Sequence, residues 1–213
     1  MIELTINIFI LLFVVIDPIS LAPLFSGLTF GGSDSYRRRM AWKGVVVAGC
    51  ILLAFALVGD RLLQYLSVSM PAFSIAGGIL LFLLAIEMVF ARQSGLRSTT
   101  ASEQAEAEHR PDISVFPLAI PMIAGPGSLT TILLLVGDRG LSSETLVVLL
   151  VMFVVLLITL GMLLMASHLM KLLGETGTNV ITRVLGIVLA ALAVQFIING
   201  VMETFPTLGQ AVS

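Results

Sequence analysis

The sequence predicts an all-α membrane protein: six transmembrane helices forming two inverted three-helix repeats, with spans one and four broken near the midplane. Three observations carry that prediction. Of 213 residues, 58% are hydrophobic and 11% charged, at a mean hydropathy of +1.10. A soluble domain carries about 25% charged residues and needs polar cover over its core. The apolar residues gather in six runs of bilayer length, and a spanning helix needs roughly 20 such residues. A Phe, Pro, Pro pattern also recurs in the first and fourth runs at one constant offset. The composition excludes a secreted disulfide scaffold, a nucleic-acid binder and a disordered tail protein.

Span one is read at 4–28. It has no basic leader or small-residue cleavage site and is too long for a signal-peptide core. Span two, 40–58, contains Cys50, the single cysteine, which reads as a small core residue. Span three, 66–90, carries Glu87 near its end, and span four, 114–136, is interrupted by Gly125-Pro126-Gly127. Span five, 145–166, is uniformly apolar; span six, 179–202, carries Gln195 and Asn199. Continuous runs of this kind contradict the short alternating strands of a β-barrel. The domain reading is a first repeat at 1–90, a cytoplasmic polar linker at 91–113, a second, inverted repeat at 114–203 and a short outward-facing tail at 204–213.

Charge orients the spans. The loops after spans one, three and five hold Arg37, Arg38, Arg39, Lys43, Arg92, Arg97, Arg110, Lys171 and Arg183; the other side holds Arg61 and Arg139. The richer side is cytoplasmic by the positive-inside rule, so both termini are expected outside.

The halves match each other. Phe13, Pro18 and Pro23 align with Phe116, Pro121 and Pro126 at an offset of 103, and the segment from Ser74 to Glu87 aligns with Thr182 to Gln195 at 108. Three spans per half is an odd number, so the second half runs through the membrane upside down. Inverted repeats with discontinuous helices belong to secondary transporters, which rock one bundle against another around a midplane site.

Proline in a helix removes a hydrogen bond and clashes with a preceding carbonyl, at about 3 kcal/mol. The pairs Pro18/Pro23 and Pro121/Pro126 are therefore expected to unwind their spans. Backbone groups freed at membrane depth survive only against protein or a water-filled cavity. The breaks thus predict a polar site where spans one and four meet. Asp17 is an intramembrane carboxylate at that site. One reading makes it the N-cap of the following half-helix, with Pro18 at the first position. Another makes it a contact for a substrate ammonium group or a proton-exchanging site. Half-helix N-termini suit a substrate carboxylate: Ser20 follows the first break, while Gly127, Ser128, Thr130 and Thr131 follow the second. Glu87, Gln195 and Asn199 are secondary polar positions. Glu87 reads as an interfacial partner of Arg92, and Gln195 with Asn199 reads as glue between helices. His109 and His168 lack partners for a metal, and no metal site or cofactor is expected. No HExxH pair, G-x-S-x-G elbow or P-loop is present, so no enzyme is expected.

These residues resemble the MarC family, also called the small neutral amino-acid transporter family and grouped with the LysE-type exporters. The likeness rests on Asp17-Pro18-Ile-Ser-Leu-Ala-Pro23-Leu-Phe25, on Pro117-Leu-Ala-Ile-Pro121-Met-Ile-Ala-Gly125-Pro126-Gly-Ser128, and on the stretch from Arg183 to Gln195 with Asn199-Gly200. It departs from the family at Ser20-Leu21, where members often carry Gly or Gly-Asn. The resemblance implies a six-span protein of the bacterial or archaeal inner membrane that moves small neutral amino acids such as glycine and alanine. The expected substrate contacts are Asp17, Pro18, Ser20, Pro23, Pro121, Gly125, Pro126, Gly127, Ser128 and Thr131. The expected partners are the lipid bilayer, a small neutral amino acid and a proton or sodium ion for coupling. An ion-conducting channel and a non-transporting membrane scaffold are the rival readings.

Overall fold

The computed structural model describes residues 2–90, 112–137 and 142–205. Its elements, in chain order, are α1 (Ile2–Ile16), α2 (Pro18–Leu28), α3 (Asp34–Tyr65), α4 (Met70–Phe90), the irregular α5 (Ser114–Ile123), α6 (Pro126–Val136), α7 (Ser143–Leu164) and α8 (Ala166–Thr204). Among the described residues there is no strand. Five stretches are long and apolar enough to cross a membrane: Ile2–Leu28, Asp34–Tyr65, Met70–Phe90, Ser143–Leu164 and Thr176–Thr204. The pair α5 and α6, bent by 58°, makes a sixth when counted as one span.

Local chemistry explains where the elements begin and bend. Ser33 and Ser142 cap α3 and α7, their hydroxyls accepting from the N–H of Tyr36 at 3.3 Å and of Thr145 at 3.2 Å. The Ser33 cap starts α3 ahead of the apolar run, so the helix extends beyond 40–58 at both ends. Helix α8 takes in the segment expected to be a loop before 179. It bends at Gly174, whose φ of 63° and ψ of 179° are open to glycine alone at little cost. In α5, Phe116 and Ile120 are extended, at φ/ψ of −130°/126° and −124°/127°. Both precede proline, whose ring clashes with a helical residue before it. The turns between them are wide, with Leu118 N–H bonded to Ile113 O at 3.1 Å and Ala124 N–H to Ala119 O at 2.8 Å.

Glycines record how the helices pack. Cβ atoms added at Gly44 and Gly59 would strike Leu118 and Leu133. The same spacing on both sides makes α3 parallel to the α5–α6 pair. Gly77 abuts Thr130, and Gly127 abuts Leu81 and Leu84, so α4 runs antiparallel to α6. Gly78 meets Ala193 and Ile197, Gly186 meets Met88 and Val89, and Gly200 meets Pro71 and Ile75; α4 and α8 are antiparallel along their whole contact. Helix α1 joins two apolar clusters. Leu12 and Ile16 pack with Phe25, Leu52, Ile132 and Leu160, whereas Leu11 and Val15 pack with Leu81, Leu84 and Leu189.

Two expectations are corrected. Cys50 is exposed on α3 rather than in the core, because a helix facing lipid is as apolar outside as inside. Pro23 does not unwind its span: α2 continues from Pro18 to Leu28 with Pro23 inside it. One missing N–H is tolerated there, as membrane helices tolerate proline where neighbouring groups satisfy the freed carbonyl.

Candidate functional site

The first turn is built on one residue. Asp17 has φ 47° and ψ 69°, in the left-handed region, which Asp enters more readily than most residues because its short side chain bonds locally. The proline that follows disfavours the right-handed helix at this position. The Asp17 amide donates to Phe13 O at 2.8 Å, and the Asp17 carbonyl accepts from Leu21 N–H at 3.3 Å. Its side chain accepts from Ser20 N–H at 3.3 Å and from the Ser20 hydroxyl. Pro18, buried, occupies the first position of α2. Asp17 is therefore an N-cap with 0% exposure. The Ser20 hydroxyl also meets Thr182 Oγ1 on α8. Since its single proton lies on Asp17, Thr182 donates to Ser20.

The second turn uses glycine. Gly125 caps α6 in extended geometry, φ −80° and ψ 175°, with no side-chain hydrogen bond. A Cβ here would lie 2.4 Å from Pro121 O, so the chain doubles back too tightly for any other residue. Pro126 occupies the first helical position and has no N–H. The first intrahelical bond is Leu129 N–H to Gly125 O, at 3.0 Å; the N–H groups of Gly127 and Ser128 precede it and have no carbonyl within the helix. The Ser128 hydroxyl points backward to Ile123 O, at 2.8 Å. Thr131, one turn on, is 0% exposed, and its hydroxyl has no partner among the described residues. A buried hydroxyl in that state costs about 1–3 kcal/mol.

Pro121, Met122, Gly125, Pro126, Gly127 and Ser128 line a cleft closed by Val15, Leu80 and Leu84. Its volume is about 10 Å³, room for a single water. Val15 ties the cleft to the first turn: its Cγ1 lies 3.5 Å from where a Gly127 Cβ would be, two residues before Asp17.

The secondary positions lie elsewhere. Glu87 is 8% exposed, more enclosed than an interfacial partner of Arg92 would be, and Arg92 lies outside the described residues. Gln195 and Asn199 are exposed on α8 and bond each other at 2.7 Å rather than gluing α8 to a neighbouring helix. His168 is exposed, and His109 lies outside the described residues. Thr182 escaped sequence reading. The Ser74 hydroxyl also crosses between helices, donating to Phe196 O at 2.9 Å.

Two polar ties stand at the margin. Lys43 pairs with Asp112, whose carboxylate also receives Ser114 N–H at 3.0 Å. The Lys43 bond, followed by those of Ser114, holds the Asp112 carboxyl down at about 2. Arg37 Nη1 donates to Ser167 Oγ at 3.0 Å and its Nε to Thr29 O at 3.3 Å, fastening the start of α3 to α8.

The family described as MarC family integral membrane protein matches residues 2–205. A UPF0056 membrane protein of Methanocaldococcus jannaschii is 36% identical over 191 residues, covering 89% of this chain and 92% of the relative. A second, YvbG of Bacillus subtilis, is 33% identical over 208 residues, covering 98% and 99%. A third, YhcE of Escherichia coli, is 33% identical over 201 residues, covering 94% and 93%. No solved structure matches the chain. With a family match over nearly its whole length and relatives in both bacteria and archaea, this multi-pass chain belongs to the MarC family of integral membrane proteins.

Proposed function

We infer that the chain is a secondary transporter of small neutral amino acids or similar zwitterions, working by alternating access at a site between spans one and four. One observation carries this reading. The N-terminus of α6, which no side chain caps, packs against Val15, two residues before the buried Asp17. A carboxylate on one side and backbone N–H donors on the other would suit a zwitterion, ammonium toward Asp17 and carboxylate toward Gly127 and Ser128. The unpartnered Thr131 hydroxyl adds a donor beside them. A cleft of about 10 Å³ represents a closed state, and loading even glycine requires α1, α4 and α6 to separate.

The inverted repeat is part of the same proposal, and the α4–α8 pairing supports it. Gly78 and Gly186 are equivalent under the offset of 108, and each is pressed against the other's helix. A two-fold pseudo-axis in the membrane plane produces that exchange. The ties Lys43–Asp112 and Arg37–Ser167 support placing these span ends on one side of the membrane, and the positive-inside rule makes that side cytoplasmic. On this reading the chain lies in the cytoplasmic membrane with both termini outside, coupled to a proton or a sodium ion. Reconstituted protein should show saturable counterflow of labelled glycine or alanine without a rise in bilayer conductance. Conductance without saturation would make it a channel, and neither flux would make it a scaffold.

A further inference from the structure

We propose that the outward face of α8 is the interface through which two copies of this chain pair in the bilayer, fastened at Gln195. Thr176–Thr204 is the least buried of the long helices, with 22% of its most apolar stretch inside the fold. Helix α4 takes one side of it through Gly186 and Gly200; the other side presents Val184, Val188, Ile198 and Met202, all exposed, with Gln195 among them. The helix is ~43 Å long at ~1.5 Å per residue. Centred on a hydrocarbon layer of ~30 Å, it sets Gln195 ~7 Å inside the edge and Asn199 close to the edge itself.

Lipid tails offer an amide nothing. The bond from Gln195 Nε2 to Asn199 Oδ1 uses one Gln195 N–H, and among the described residues the second N–H and Oε1 have no other partner. Gln195 is exposed on the fold. A second copy supplies what the two groups lack. Two chains inserted the same way are related by a two-fold axis along the membrane normal, which sets equal depths face to face. Gln195 then meets the same residue of the other copy, and each amide donates its second N–H to the other's Oε1. The site is self-complementary and uncharged, so it calls for neither a phosphate headgroup nor a charged partner. Val184, Val188, Ile198 and Met202 flank it as an apolar seam, and a polar residue within an apolar seam fixes register in coiled coils.

The test stands apart from the transport reading. In a Cys50→Ala background that keeps Gln195, Ile198→Cys in native membranes should form a disulfide-linked pair of this chain under mild oxidation, and Leu57→Cys, exposed on α3, should not. In liposomes, single-molecule photobleaching should count two copies of wild type. Gln195→Leu and Gln195→Met should dimerise about 3- to 30-fold more weakly, the range measured for hydrogen bonds between membrane helices, at unchanged thermal stability. A monomeric wild type, cross-linking at Leu57 instead, linkage of Ile198→Cys to another protein, or folded variants that dimerise like wild type would each overturn the interface.

Discussion

At the first turn, one residue carries the bend and its own side chain repairs it. At the second, the ten residues of α5 share the distortion, and no side chain caps the helix that follows. Asp17 satisfies Ser20 N–H and keeps its own amide and carbonyl bonded. Gly125 contributes only backbone, and Ser128 spends its hydroxyl on Ile123 O. The first turn is thus closed by a side chain, and the second is left open. In the proposed repeat Asp17 corresponds to Ile120, so the two turns share the spacing of their prolines and differ in the side chain before the first of them.

The largest expected effect tests the tightness of the second turn. Gly125→Ala puts a methyl 2.4 Å from a backbone oxygen, which cannot rotate away as a side chain can. The expected loss is about 3 kcal/mol or more, read as a lower melting temperature in detergent and poor yield. Gly161→Ala in α7 meets nothing within 4 Å and should be neutral or gain up to about 1 kcal/mol. Equal behaviour of the two variants would mean the second turn is as forgiving as an ordinary helix.

Next comes the charge of the first turn. Asn caps a helix as well as Asp, so Asp17→Asn should retain most stability. On the proposed function it loses the group that would face an ammonium, worth roughly 1.5–3 kcal/mol, or about 10–100-fold in apparent affinity. Asp17→Ala should lose the cap as well. Transport per folded protein separates the roles: wild-type flux in Asp17→Asn would reduce Asp17 to a cap and leave recognition to α6.

Sequence reading pointed to Pro18 and Pro121 because proline is a local signal. At Asp17, Phe116 and Ile120 the residue before proline leaves the helix, as its steric clash demands. It failed at Pro23, whose missing N–H the helix tolerates, and at Cys50. Hydropathy separates lipid from water and cannot separate lipid from core. Thr182 was invisible for a different reason: its role depends on a neighbour 162 residues away, which no window along the chain contains. Gln195 and Asn199 were rightly read as polar groups in an apolar span, but their direction around α8 is a packing outcome.

A smaller effect probes the open site. Thr131→Val keeps the shape of the side chain and removes an unpartnered hydroxyl. Stability should hold or rise by up to about 1 kcal/mol, because the desolvation penalty disappears. If the hydroxyl meets substrate, transport should weaken by about 2–12-fold, the worth of a neutral hydrogen bond of about 0.5–1.5 kcal/mol. A drop in stability with unchanged transport would return Thr131 to the packing of α6 and remove it from the site.

The smallest effect belongs to Asp112, which anchors the entry to α5 from the surface as Asp17 anchors α2 from within. Lys43 and Asp112 have half-exposed side chains, so solvent and salt screen them, and such pairs contribute about 0–1 kcal/mol. The Asp112 carboxyl sits at about 2, below its ordinary value of 3.8. A group held down on folding contributes fully above its unfolded value and loses that contribution as pH falls toward the folded one. Wild-type stability should therefore show no part of this contribution changing between pH 7 and 5, and the part due to Asp112 should fade between about 3.8 and 2. Asp112→Asn should erase that acid-side component and cost less than about 1 kcal/mol at neutral pH, less still in high salt. A large, salt-insensitive loss in Asp112→Asn would mean that the second turn depends on its surface anchor as heavily as the first depends on its buried one, and the contrast between an internally closed turn and an open one would no longer stand.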